Sequence, residues 1–143
     1  MVLKVNLKVQ KSINFFILHY FKVVFLLSML TRFDVQTFLE NFHLKMGIWG
    51  IVIRDDRGKN TQTLLDLEIS KAQRNQALMS LAPEDYSEGP MKDRLHHGAD
   101  MWVFGKTIKS LEIYIKITMG VPDAQVICIS FHLAEHKMTY PFR

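Results

Sequence analysis

The segment Glu112-Ile113-Tyr114-Ile115-Lys116-Ile117-Thr118 alternates apolar and polar residues without a break. Period two is the β-strand repeat, so Ile113, Ile115 and Ile117 fall on one face and Tyr114, Lys116 and Thr118 on the other. An isoleucine row of this kind has to be covered, whereas the row behind it is free to meet solvent or a ligand. The chain must therefore build a sheet with one buried face and supply something to bury it. Two further strand signals flank the segment, MWVFGK (101–106) and QVICISFH (125–132). The second is reached through Met119-Gly120-Val121-Pro122-Asp123, which reads as a hairpin loop.

Helices to cover the sheet are legible upstream. Phe33, Val35, Phe38, Leu39, Phe42 and Met46 recur at helical spacing, with Thr31 as N-cap and Gly47 as the expected stop. IWGIVI (48–53) is a short β-rich run ended by the polar turn RDDRGKN, and TQTLLDLEI (61–69) fits either a strand or irregular structure. Ser70 is placed to cap a second helix, KAQRNQALMSL, which Pro83 prevents from running on. PEDYSEGPMKDRLHHGAD then reads as a long polar loop, and loops of that size tend to carry function. The expected fold class is α+β, two helices packed on a small antiparallel sheet. No internal repeat or low-complexity tract interrupts it.

With 143 residues, one domain with a real core is expected, spanning residues 29–143. The net charge of +4 belongs entirely to residues 1–28, which carry Lys4, Lys8, Lys11 and Lys22 and no acid. The body is balanced, with 14 basic and 14 acidic side chains, so any nucleic-acid contact has to come from a local basic face. Residues 1–28 are rich in Phe, Leu, Ile, Val, Lys and Asn. That is the bias of translated AT-rich upstream DNA, which makes Met29 the expected start. His19 and Lys22 interrupt the apolar run too early for a spanning helix. The alternatives are a functional leader or an amphipathic membrane anchor, although a clean polar face is hard to draw. An intact mass that includes residues 1–28 would exclude the mis-assigned start. The single cysteine, Cys128, excludes an intramolecular disulfide and suits a reducing cytoplasm; its apolar surroundings suggest a buried, inert thiol.

Two motifs invite a chemical reading. His132-Leu133-Ala134-Glu135-His136 spells H-x-x-E-H, a zinc-protease signature that works only on a helix, where positions i and i+4 share a face. Here it begins at the end of a strand and is cut off by Tyr140-Pro141, so a strand end and a short tail are expected instead. Asp55-Asp56-Arg57-Gly58-Lys59-Asn60 lacks the spacing of a phosphate-binding loop and reads as a solvated turn, and His96-His97 reads as surface. More specific is the open sheet face. Simple alternation groups Val126, Cys128, Ser130 and His132 on the last strand. If it pairs with its neighbour, Tyr114, Lys116 and His132 converge, with Lys106 near them; an ordinary solvated sheet face is the plainer reading.

LMSLAPEDYSEGP, DMWVFGK, EIYIKIT and VICISFH, in that order and spacing, resemble the motility quorum-sensing regulator (MqsR) family of toxins from type II toxin–antitoxin systems. The resemblance covers roughly residues 30–143 and leaves residues 1–28 untouched. It implies a RelE-like fold, metal-independent cleavage of mRNA, a cognate antitoxin as partner, and neither metal nor small-molecule cofactor. Carried over residue by residue, Tyr114 matches the family's active-site tyrosine and Lys116 its phosphate contact. His132 stands where the family's last strand carries a catalytic lysine, a replacement chemistry tolerates because histidine titrates near neutrality. Tyr86, Trp102, Lys106 and His136 are the further candidates for substrate contact. The family's lysine after the loop tyrosine has no match, since Ser87 follows Tyr86, and its glutamine before Tyr114 is also missing. Those departures keep open an interaction protein with weakened catalysis. Zinc hydrolysis on His132 and His136 is a more distant alternative, and a membrane-tethered protein requires residues 1–28 to be translated.

Overall fold

The computed structural model describes residues 2–143 and divides into two units, Met1–Thr31 and Arg32–Arg143. The first is one helix, α1 (Val2–Ser28). It contains neither Gly nor Pro, so nothing in its sequence breaks the helical hydrogen bonding. Among the described residues no helix is long and apolar enough to cross a membrane.

The second unit opens with α2 (Arg32–Trp49), in which Val35, Leu39, Phe42 and Met46 form one buried stripe. The helix runs past Gly47 and ends at Gly50, whose φ of +81° is left-handed and whose N–H donates to the Met46 carbonyl at 2.8 Å. Only Ile51–Ile53 of IWGIVI is therefore strand, β1. The ambiguous stretch after it is largely helical, α3 (Lys59–Asp66). Asp55 explains why. Its carboxylate accepts from the backbone N–H groups of Asn60 (2.9 Å) and Thr61 (3.0 Å) and from the Thr61 hydroxyl, satisfying amides that a helix start leaves unpaired. The Thr61 hydroxyl is the largest of the influences that hold this carboxyl below its usual range.

The next helix, α4 (Lys71–Met79), starts where Ser70 suggests. Ser70 Oγ accepts from the Gln73 N–H at 3.1 Å while the Gln73 side chain accepts from the Ser70 N–H at 2.8 Å, a reciprocal cap. A single 3-10 turn, Pro83–Asp85, follows. The expected long loop then yields a strand of its own, β2 (Tyr86–Met91).

β3 (Met101–Ile108), β4 (Leu111–Thr118) and β5 (Val126–Leu133) complete a sheet in the order β1-β5-β4-β3-β2. The pairs among β2 to β5 are antiparallel, but β1 joins β5 in parallel, so the sheet is mixed. The fold is α+β, with four α-helices among the described residues where the sequence pattern indicates two. One sheet face carries Trp102, Phe104, the three isoleucines of β4, Cys128 and Phe131, all buried. The Phe38 ring of α2 stacks on Trp102 with centroids 4.3 Å apart. Burying each large side chain of this layer contributes about 1.5–3 kcal/mol.

Candidate functional site

The open face of the sheet is decided by a defect in β5. Tyr114 faces His132 and Lys116 faces Ser130, but Ile117 faces Cys128, so Ile129 is an extra residue, a β-bulge. Simple alternation groups Val126, Cys128, Ser130 and His132 on one face; the bulge splits them. Val126 and Cys128 are fully buried, while Ser130 and His132 are half-buried on the side of Tyr114 and Lys116. Burial pushes the Cys128 thiol up to about 12, as suits an inert core residue.

Asn60 holds the bulge from outside. Beyond Ile53 the outer edge of β5 has no strand beside it among the described residues, and the buried Asn60 side chain takes that place. The Phe131 N–H donates to Asn60 Oδ1 at 2.7 Å, and Asn60 Nδ2 donates to the carbonyls of Ile129 (3.3 Å) and Arg54. Backbone groups that a bulge would leave unpaired are thereby satisfied.

On this frame Tyr114 and His132 stack, with ring centroids 5.2 Å apart and planes 17° off parallel. Lys116 Nζ lies 5.8 Å from the Tyr114 centroid. His132 Nδ1 is 2.9 Å from the Leu133 carbonyl. A carbonyl only accepts, so Nδ1 carries the proton of the neutral ring and Nε2 keeps its lone pair for a ligand.

The group forms the floor of a cleft of about 950 Å³ whose walls are the 54–59 turn, the 92–96 loop and the tail from Glu135 to Thr139. Seven Lys and Arg side chains line it against five Asp and Glu. The acids are mostly engaged: Glu135 pairs with Lys59, whose hydrogen bond is the main cause of its lowered pKa. Asp93 is held low chiefly by the backbone N–H of His96. The balance is a modest excess of positive charge facing an imidazole, an ammonium, a phenol and a hydroxyl. Such a set can bind a phosphodiester and move a proton.

The structure brings together Tyr114, Lys116 and His132, with His136 on the cleft wall. It separates the other sequence candidates from them. Lys106 projects from the core face of β3 and is tied to Asp85 (3.2 Å) and the Ser80 carbonyl (3.1 Å). Trp102 is core, under Phe38. Tyr86 is buried against Trp102 and Phe104, and its hydroxyl donates to the Gly89 carbonyl at 2.6 Å. Burial, then Glu88, raises its pKa. Strand alternation explains all three displacements: each lies on the helix-facing side.

H-x-x-E-H is a strand end and a non-helical tail, as its context predicts, so helical i, i+4 geometry is absent. Among the described residues no three His, Cys, Asp or Glu side chains gather in a way that holds a metal. Several site residues were invisible to sequence reading: Arg54, Arg57 and Lys59 in a turn read as solvated, and Arg94 in the loop. One signal was present, Gly105 in the middle of β3. A Cβ there would collide with the Tyr140 hydroxyl, because the C-terminal tail crosses the open face beside Tyr114. Tyr140 donates to Glu112 Oε2 at 2.7 Å, which fastens that tail. Comparison with protein-family models, curated proteins and solved structures finds no match to this chain.

Proposed function

We propose that this chain is a toxin of a type II toxin–antitoxin system, RelE-like in fold, a metal-independent endoribonuclease that cuts mRNA in the cytoplasm and is restrained by a cognate antitoxin. The observation that carries the reading is the triad Tyr114, Lys116 and His132, adjacent on one open sheet face at the floor of a cleft with a modest excess of cations. The sequence resemblance supplies the toxin class; Tyr114 and Lys116 are the part of the family pattern that the chain retains, and His132 replaces its catalytic lysine.

The chemistry follows from the geometry. The 2′-oxygen of RNA attacks the adjacent phosphorus and forms the 2′,3′-cyclic phosphate, while the bond to the 5′-oxygen breaks. Lys116 offsets the charge that builds on the phosphate oxygens. His132 Nε2 is the free nitrogen that takes the 2′-proton or, protonated, gives one to the leaving 5′-oxygen. Tyr114 orients the nucleotide against the imidazole, and His136 on the wall is the second candidate for proton transfer.

Incubation of the full chain with RNA in excess EDTA tests the reading. Persistent cleavage that disappears in His132→Ala supports it. Cleavage abolished by EDTA points instead to zinc on His132 and His136. Absence of cleavage, together with tight binding of the antitoxin, supports an interaction protein with a weakened site. One observation favours that second reading: Lys106 is committed to Asp85 and no lysine follows Tyr86, so two expected cationic and polar contacts are missing.

A further inference from the structure

The α1 helix has an order that its linear sequence conceals. At about 3.6 residues per turn, Lys22 lies five full turns beyond Lys4, and Lys8 and Lys11 fall within roughly 40° of that line. His19 sits at the margin of the same stripe. Every charged residue of the helix is thus cationic and on one side, and the helix contains no Asp or Glu at all. The opposite side carries Val9, Ile13, Phe16, Ile17, Tyr20 and Val24, all exposed. Among the described residues the helix is not long and apolar enough to cross a bilayer.

We propose that α1 lies in the headgroup plane of an anionic lipid bilayer, with the Ile13–Phe16–Tyr20 side sunk toward the acyl chains and the lysine stripe at the phosphate level. Three observations select a bilayer surface over other occupants. The helix is apolar over far more than the narrow seam that helix pairing needs. Its charged stripe is wholly basic, which complements anionic headgroups and would repel an identical copy laid alongside. Phe21 and Phe25 flank the stripe at the level of the interface, while Phe16 and Tyr20 lie on the apolar side. Lysine stems are long enough to lay their methylenes along the apolar boundary while the ammonium stays wet. The inference is independent of the nuclease reading and holds whether or not the chain cuts RNA.

Vesicle co-sedimentation of the full chain is the test, with phosphatidylglycerol–phosphatidylcholine mixtures against phosphatidylcholine alone. Binding is expected to the anionic vesicles only and to fall in high salt. Combined Lys8→Gln, Lys11→Gln and Lys22→Gln substitution should weaken it roughly a hundredfold, from about 1 kcal/mol per lysine at an anionic surface. A second measurement reads orientation. Because Cys128 is buried, a single cysteine introduced as Ile13→Cys or Phe15→Cys takes a polarity-sensitive dye selectively. Ile13 is on the apolar side and Phe15 within the lysine stripe, so only the dye at 13 should report an apolar environment on vesicles. Equal binding to neutral and anionic vesicles, no binding to either, indifference to the lysine changes, or the same dye response at both positions overturns the proposal. Self-association of the chain that buries position 13 in the absence of lipid overturns it as well.

Discussion

β4 and β5 present two different chemistries on their two faces, and the contrast shows how one sheet serves stability and a site together. On the helix-facing side Ile113, Ile115, Ile117 and Phe131 are fully buried. On the other side Tyr114, Lys116, Ser130 and His132 alternate with them residue for residue, half-buried along the cleft. The buried row makes the open row rigid, because a slip of one residue would exchange the two faces. The bulge at Ile129 is the exception that makes the arrangement possible. It lets Cys128 and Phe131 both point inward although three positions separate them, and it hands Ser130 and His132 to the cleft.

The contrast predicts that open-face substitutions change activity without changing stability, and that core-face substitutions do the reverse. His132→Ala is the sharpest case. RNA cleavage should fall by roughly 10²–10⁴ as general acid–base catalysis is lost, while the urea midpoint stays where it is. A variant that keeps its cleavage rate would break the assignment. Phe42→Ala, in the fully buried layer that covers the sheet, should cost about 3–5 kcal/mol in urea unfolding.

Asn60→Ala tests the hinge between the two faces. It strands the Phe131 N–H and the Ile129 carbonyl, so unfolding should cost about 1–3 kcal/mol less, and amide exchange at Phe131 should accelerate. Asn60→Asp retains the acceptor for Phe131 and should fall between the two. Tyr140→Phe removes the hydroxyl that Glu112 holds. A loss of about 0.5–1.5 kcal/mol is expected, with faster proteolysis after Lys137 in the loosened tail.

The smallest effect is on Cys128. Its folded thiol stands at about 12 against an ordinary 9.0, so the folded state holds this proton more tightly than the unfolded state. The associated stability is fully present below about pH 9 and is lost as pH rises toward 12. Iodoacetamide should therefore leave the native protein unmodified from pH 7 to 9 and label it once urea unfolds it. Labelling of the native protein at pH 8 would mean that the bulge does not keep Cys128 inside.

Where periodicity was strong, sequence and structure agree. The EIYIKIT alternation and the Ser70 cap are each fixed by neighbours within a few residues and are found as read; the α2 stripe is found without Phe33, which is exposed, and the helix runs past Gly47. Where the outcome rests on a distant partner, reading along the chain fails. TQTLLDLEI is helical as far as Asp66 because Asp55 caps the helix start and Asn60 reaches β5. The 83–100 stretch holds a strand because β3 offers it an edge. Lys106 and Trp102 are candidates for substrate contact in the sequence, and the pleat sends them to the other side. In α1 the lysines look scattered in a row and align only around a helix.

By itself the sequence determined that one strand would have a buried and an open row, that Tyr114 and Lys116 would share the open one, and that helices would cover the other. These follow from residue period, which is local. Tertiary structure alone decided that the last two strands pair so that His132 meets Tyr114, that Cys128 turns to the other face, and that cations from two loops ring the cleft. Those outcomes depend on the bulge that Asn60 stabilises from 69 to 71 residues away along the chain. No pattern within a single strand encodes a hydrogen bond over that separation.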